Sequence, residues 1–322
     1  MLKKLLACCL VLVLTLPGML SCSGAKTSEI KLVPAAANII MQIQVGKILS
    51  NSAIQIAYDE LAKTKPSWPQ TVNDALSQLV QKTGIDLSTI ASVVLFANIE
   101  STDQTQESYS GIIAAGKFKE SELIAKIQQQ TKQDFTTSDY KGLTVYSAPK
   151  DQYEIVFLSQ SQLALGTAKA VQDVVDVSKG NQPAVCGTVI DALNRFGSAL
   201  IAGASVLPEN LRNQLDSKVP QQATLSMKSL QDMDIIGFAI DQPSLNLSFR
   251  IDAHFTVAAS AKDAQDTISG LISVAKGTSH DPNVKTALGN IQKSTKNSWL
   301  SIRDLISPTD VMNLVSTIQT QK

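Results

Sequence analysis

Three short runs carry the residue types of serine-nucleophile chemistry: Ser273-Val274-Ala275-Lys276, Ser244-Leu245-Asn246 and Lys82-Thr83-Gly84. In such chemistry the serine attacks and the lysine assists by handling its proton. His254 and His280, with the carboxylates Asp59, Glu60, Asp86 and Asp134, are the other candidates for acid–base or metal chemistry. Cys22 is a candidate of another kind, because a thiolate is a good nucleophile for a diacylglyceryl group.

The three runs resemble those of the penicillin-recognising serine enzymes, but the order differs. That family runs Ser-x-x-Lys, then Ser-x-Asn, then Lys-Thr-Gly on a strand. Here Lys82-Thr83-Gly84 comes first and ends a helix. His254 alternates with Ala253 and Phe255 and belongs on the polar face of a strand, while His280 lies in a loop beside Asp281. Two histidines without a cysteine partner fall short of the three or four ligands that zinc takes. The carboxylates are scattered among separate elements and read as solvated surface, and no glycine-rich phosphate loop or calcium loop appears. The expectation is a non-enzymatic protein with no cofactor and no metal.

Cys22 remains. Residues 1–21 have the parts of a secretory signal: Lys3 and Lys4, an apolar run over 5–16, and a small-residue exit. The apolar run is too short for a bilayer, which takes roughly 20 residues. Met19-Leu20-Ser21-Cys22 resembles the lipobox of bacterial lipoproteins, although Met19 stands where Leu is usual and Leu20 where a small residue is usual. The resemblance implies lipidation of Cys22 and an acyl anchor that holds the protein on a membrane, facing outward, or on the periplasmic face in a two-membrane cell. The alternative is an ordinary signal peptide that contains a cysteine. Residues 22–33, small and polar at first, then serve as a flexible tether.

Signal and anchor account for Cys8, Cys9 and Cys22, leaving Cys186, so an internally disulfide-stapled scaffold is excluded. The apolar flanks of Cys186 suggest a small buried hydrophobe on a helix. The full chain has 28 basic and 28 acidic residues; loss of Lys3 and Lys4 gives a formal balance of −2. Nucleic-acid binding calls for a clearly basic face and is not expected. The 44% apolar content is ordinary for a globular chain.

Beyond the tether the chain has the elements of two α+β modules, over residues 34–182 and 183–322. In the first, Ile39, Met41, Ile43 and Val45 alternate as a strand. Helices are expected over 52–63 and 69–82, the second with Pro69 in its first turn and Trp68 as an anchoring hydrophobe. Strands over 93–99 and 110–116, joined by a polar loop without a helix, suit an antiparallel pair. A helix over 119–130, short strands over 143–147, 153–158 and 162–165 with a turn at Lys141-Gly142, and a helix over 168–177 complete the module. Each module is expected to be a mainly antiparallel sheet with helices packed on one face.

The second module repeats the first in part, which reads as a tandem duplication. Residues 198–206 match 37–45, Phe238-Ala239 match Phe96-Ala97, a helix over 261–272 matches that over 119–130, and Val311 in a last helix matches Val171. Residues 281–296 read as helical, where the first module has strands.

The runs Ile112 to Phe118 (IIAAGKF), Tyr140 to Ala148 (YKGLTVYSA) and Leu163 to Thr167 (LALGT) resemble a family of uncharacterised bacterial envelope proteins defined by a domain of unknown function. That family has no assigned activity, so the resemblance implies compartment and fold only. The expected function is an interaction or scaffold module with an envelope protein or cell-wall partner. The alternative is a solute-binding receptor of a transport system, whose mark would be a cleft lined by Tyr, Trp and Arg.

Overall fold

A computed structural model describes residues 28–63, 68–83, 85–98, 108–148, 153–209, 212, 228–244, 246–280 and 282–307. Cys22, Gly84, Asp281 and Val311 lie outside the described residues. The chain divides into two compact units, one ending at Cys186 and the other beginning at Gly187. Each is an α+β unit built on an antiparallel sheet.

In the first unit β1 (Ile39–Ile43) is followed by helices α1 (Val45–Leu49), α2 (Ser52–Lys63) and α3 (Val72–Thr83), then strands β2 (Ile90–Asn98) and β3 (Tyr109–Gly116). Helix α4 (Glu120–Thr131) leads to β4 (Thr136–Tyr140), β5 (Leu143–Ala148), β6 (Tyr153–Ser159) and β7 (Gln162–Thr167), and α5 (Ala168–Ser178) ends the run. The strand order is β1-β2-β3-β7-β6-β5-β4, all neighbours antiparallel. β2 and β3 form the expected antiparallel pair. Lys141 and Gly142 both take positive φ, 54° and 80°, the backbone of a tight hairpin turn between β4 and β5.

The inner strands of this unit are apolar on both faces, and helices cover both. Ala114 and Leu163 face Ile124 and Ile127 of α4. Tyr109, Gly111 and Ile113 point the other way, and there the Tyr109 hydroxyl donates to Asp173 of α5 at 3.1 Å. The expectation of helices on one face is therefore corrected: a strand such as β3, with Ile113 and Ala114 both buried, needs cover on either side. At the crossing of β3 and β7, Gly111 stands opposite Gly166. The Phe96 ring closes over Gly111, and a Cβ on Gly166 would come within 2.4 Å of the Ser110 carbonyl oxygen.

Other expectations shift by small amounts. Strand β1 stops at Ile43, and α1 starts two residues later. Helix α3 begins at Val72 rather than Pro69, because Thr71 and Asp74 cap it reciprocally: the Asp74 N–H donates to Thr71 Oγ1 and the Thr71 N–H to Asp74 Oδ2. Trp68 is 44% exposed, so it is not a buried anchor. Cys186 is exposed and precedes the next helix, so it is not a buried helical hydrophobe.

The second unit opens with α6 (Thr188–Asn194) and β8 (Ile201–Val206), followed by β9 (Met233–Asp241) and β10 (Leu247–Phe255). A long α7 (Ala258–Thr278) and α8 (Pro282–Asn290) lead to β11 (Gln292–Lys296) and β12 (Trp299–Ile306). The order is β8-β9-β10-β12-β11, again antiparallel throughout. Ala261 and Ala264 of α7 pack on Ala253, Phe255 and Leu300. Their small size lets the helix lie close to the sheet. The helical reading of 281–296 holds only as far as Asn290; Gln292–Lys296 is a polar edge strand.

The match of Phe96 with Phe238 does not survive. Phe96 pairs with Gly111 on the side away from α4, whereas Phe238 pairs with Ile251 on the side that α7 covers. Among the described residues no helix is long and apolar enough to cross a membrane.

Candidate functional site

The face of the second sheet opposite α7 is built around a buried carboxylate. Side chains two apart on a strand share a face, so Arg250 and Asp252 of β10 point the same way. Their cross-strand partners on β12 are Arg303 and Ser301, and on β9 Ala239 and Gly237. Helix α6 delivers two more groups. Arg195 follows its last turn, and Gly197, at φ 66°, turns the chain away in a region that glycine tolerates. Phe196 thereby lies over Gly237, where a Cβ would be 3.0 Å from its ring.

Asp252 is fully buried and accepts four hydrogen bonds. Oδ2 takes Arg195 Nε at 2.5 Å and Arg250 Nη2 at 2.6 Å; Oδ1 takes Arg250 Nε at 2.8 Å and Ser301 Oγ at 2.7 Å. Arg250 also donates Nη1 to the Arg195 carbonyl at 3.0 Å. Burying a carboxylate is costly, and two guanidinium groups with a hydroxyl offset that cost while fixing both arginines. The gain is positional. Arg250 lies 5.1 Å from the centre of the Phe196 ring and Arg195 4.3 Å from that of Trp299, contacts that favour a cation over an aromatic face.

The row continues along β10. His254 is paired with Trp299 across the strands, their rings 4.8 Å apart, and its Nδ1 is 2.6 Å from Asp234 Oδ1. At the other end Arg303 donates Nε to Ser248 Oγ at 3.2 Å. Between them opens a cavity of about 460 Å³, bordered by Phe196, Asp241, Ser248, Arg250, Ser301 and Arg303. Two arginines, one aspartate and one aromatic ring thus share its lining.

The candidates from sequence fall elsewhere, apart from His254, which stands on this face. Ser273 and Lys276 belong to α7, and the Ser273 hydroxyl donates to the Ser269 carbonyl at 2.9 Å, a bond within the helix. Ser244 accepts from the Asn246 N–H in the turn before β10. Lys82 and Thr83 end α3 in the other unit. His280 follows α7. Asp86 accepts from the Ser88 hydroxyl at 2.6 Å and its N–H at 2.9 Å; these bonds, the hydroxyl's first, hold its carboxyl below the ordinary range. Asp59 and Glu60 sit in α2 and Asp134 beyond α4. Among the described residues no three His, Cys, Asp or Glu are grouped to hold a metal.

A second polar cluster, in the first unit, docks a helix. Asp173 and Asp176 of α5 are buried and satisfied by Tyr109, Tyr140, Lys141, Lys169 and Gln182. Burial first, then the Asp173 charge, raises the Tyr109 hydroxyl above its ordinary pKa.

Arg195, Arg250, Asp252 and Arg303 are the residues that the sequence reading missed. Two signals were present. All four arginines of the chain lie in its second half, and Arg250 and Asp252 are two apart in an alternating run.

No family model and no curated protein matches the chain. It is similar to crystal form I of TP0453, at 11% identity over 91% of this chain and 98% of that one, with a TM-score of 0.48. Crystal form III of TP0453 gives 8% identity, 91% and 99% coverage, and a TM-score of 0.47.

Proposed function

We propose that the protein is a non-enzymatic, lipid-anchored cell-envelope protein acting as an interaction or scaffold module through the arginine face of its second unit. The observation that carries this is the Asp252 network, which spends a buried carboxylate and a helix end on holding Arg195 and Arg250 rigid beside an open recess. Rigid guanidinium groups beside aromatic rings are what interaction surfaces concentrate. The lipobox-like run at Cys22 supports an anchor at the membrane, and the likeness of the runs Ile112 to Phe118, Tyr140 to Ala148 and Leu163 to Thr167 to the envelope family supports the same compartment. The partner is an envelope protein or a wall polymer; crosslinking in intact cells, read by mass spectrometry, tests this.

The two units also support a tandem duplication. In each, three antiparallel strands in sequence order are followed by a helix, and the last strand returns beside the third: β7 beside β3, β12 beside β10. The second copy has one hairpin fewer. Matching the faces that α4 and α7 cover sets Phe238 against a position such as Val93 or Leu95, not Phe96. The face that α5 covers in the first copy is the arginine face in the second.

A solute-binding receptor is the second reading, favoured by the size of the recess. About 460 Å³ falls within the range of small-molecule pockets, and Phe196 and the arginines supply the lining such sites use. Micromolar binding of one sugar, amino acid or peptide in a thermal-shift screen selects the receptor. A flat screen together with a crosslinked envelope partner selects the scaffold.

A further inference from the structure

Arg250 and Arg303 stand directly opposite one another on β10 and β12, on the same face. Like charges in that position repel. Asp252 offsets this only in part, since its single charge is shared between Arg195 and Arg250 and the cluster beside Arg303 keeps a positive balance. Arg250 is directed onto Asp252 and the Arg195 carbonyl, while Arg303, which is exposed, has its Nε on the neutral Ser248 hydroxyl. The remaining carboxylate of the recess, Asp241, sits on the far side of β10, opposite Ser248. Its Oδ1 accepts the N–H of Gln242 at 2.9 Å.

We propose that the recess binds an oxyanion, a carboxylate or phosphate group, with the Arg303 guanidinium as its principal ligand and the Ser248 hydroxyl, which accepts from Arg303 and keeps its own proton to donate, at its side. A guanidinium fork matches two oxygens of such a group, and an anion lodged there relieves the Arg250–Arg303 repulsion. Asp252 acts indirectly, by fixing Arg250 as the second positive wall. Asp241 opposes bare anions and admits those whose other end is neutral or cationic. The site rests on the reading of this face as the binding surface, and the anion is either free or carried on a larger partner.

The test uses the full chain in a Trp68→Phe background, so that Trp299 is its one tryptophan and reports on the second unit. Inorganic phosphate and succinate are titrated at constant ionic strength set with sodium chloride. The expected result is a saturable change in Trp299 fluorescence that weakens at least about tenfold in Arg303→Gln, the loss of a charge-assisted pair, and tightens in Asp241→Asn. Because Arg303 is exposed, the variant keeps its fold, which circular dichroism checks. Millimolar affinity for the bare anions marks the group as part of a larger partner; micromolar affinity marks it as a free solute. No saturable change with either anion, or equal binding by Arg303→Gln, overturns the site. Partner capture in cells is read separately, so a captured partner beside an anion-blind recess rejects the oxyanion alone, and anion binding without any partner rejects the scaffold alone.

Discussion

Arg195 Nε lies 2.5 Å from Asp252 Oδ2 across 57 residues of chain, and that contact ties the end of α6 to the middle of the second sheet. It joins fold and proposed function in one interaction. Removing the carboxylate should both destabilise the unit and loosen the face.

Asp252→Asn leaves two guanidinium groups around a neutral amide. Arg195 and Arg250 retain 26% and 31% exposure, so the cost falls at the low end for a broken buried pair, about 3 kcal/mol. Ser301→Ala loses one hydroxyl donor and costs about 1 kcal/mol. Urea unfolding followed by Trp299 fluorescence in the Trp68→Phe background measures both; equal stability of Asp252→Asn and its parent would contradict the account.

Gly166→Ala places a methyl against the backbone of β3, where the Ser110 carbonyl cannot give way as a side chain would. The strand pair must separate, at about 1–3 kcal/mol. Gly142→Ala, by contrast, meets no atom within 4 Å and is strained only by its φ of 80°. Parallel urea curves rank the two.

Tyr109 is held protonated by burial and by Asp173, so its pKa in the folded unit lies above the ordinary 10.0. The sign follows from proton binding: above pH 10 the unfolded chain has lost this proton while the folded one keeps it. Stability from this group is therefore constant below the unfolded value and falls as pH rises past it. Tyr58 and Tyr146 are raised as well, so they add to the same alkaline loss. Ultraviolet titration should find tyrosinate of Tyr109 appearing together with unfolding; free ionisation near pH 10 in a native-like protein would contradict the buried pairing. Tyr109→Phe should flatten the alkaline limb.

Cys22→Ala should leave the protein unlipidated and either uncleaved or released from the membrane. Metabolic labelling with a fatty-acid analogue reads this directly. Equal labelling of variant and wild type would remove the anchor from the account.

The fold was legible where strands alternate over a buried face. Residues 39–43, 93–98, 110–116 and 153–158 announce themselves through isoleucine, valine and phenylalanine, and the antiparallel pairing of the second with the third followed from the polar, helix-free connection between them. β4 (TTSDY) and β11 (QKSTK) escaped, because each is a polar edge strand with no apolar face to bury. β12 was hidden behind them, its Arg303 and Asp304 breaking the apolar pattern. The candidate site was illegible as a constellation. Arg195, Asp252 and Ser301 come from three distant segments; the sheet register pairs the last two, and the end of α6 brings the first. His254 was placed correctly on the polar face, yet its neighbour at 252 was passed over, since a lone aspartate in a strand looks like solvated surface until its partners are known.

If the arginine face makes the contact with the partner, a site-resolved crosslink in intact cells captures it there. A photoreactive residue at Ser294, exposed at the rim of the recess, is compared with one at Val274, 62% exposed on α7. The expected result is a discrete adduct with an envelope protein or wall fragment from Ser294, lost in Arg303→Gln, and none from Val274. An adduct from Val274 alone, or one from Ser294 that is indifferent to Arg303→Gln, would contradict it.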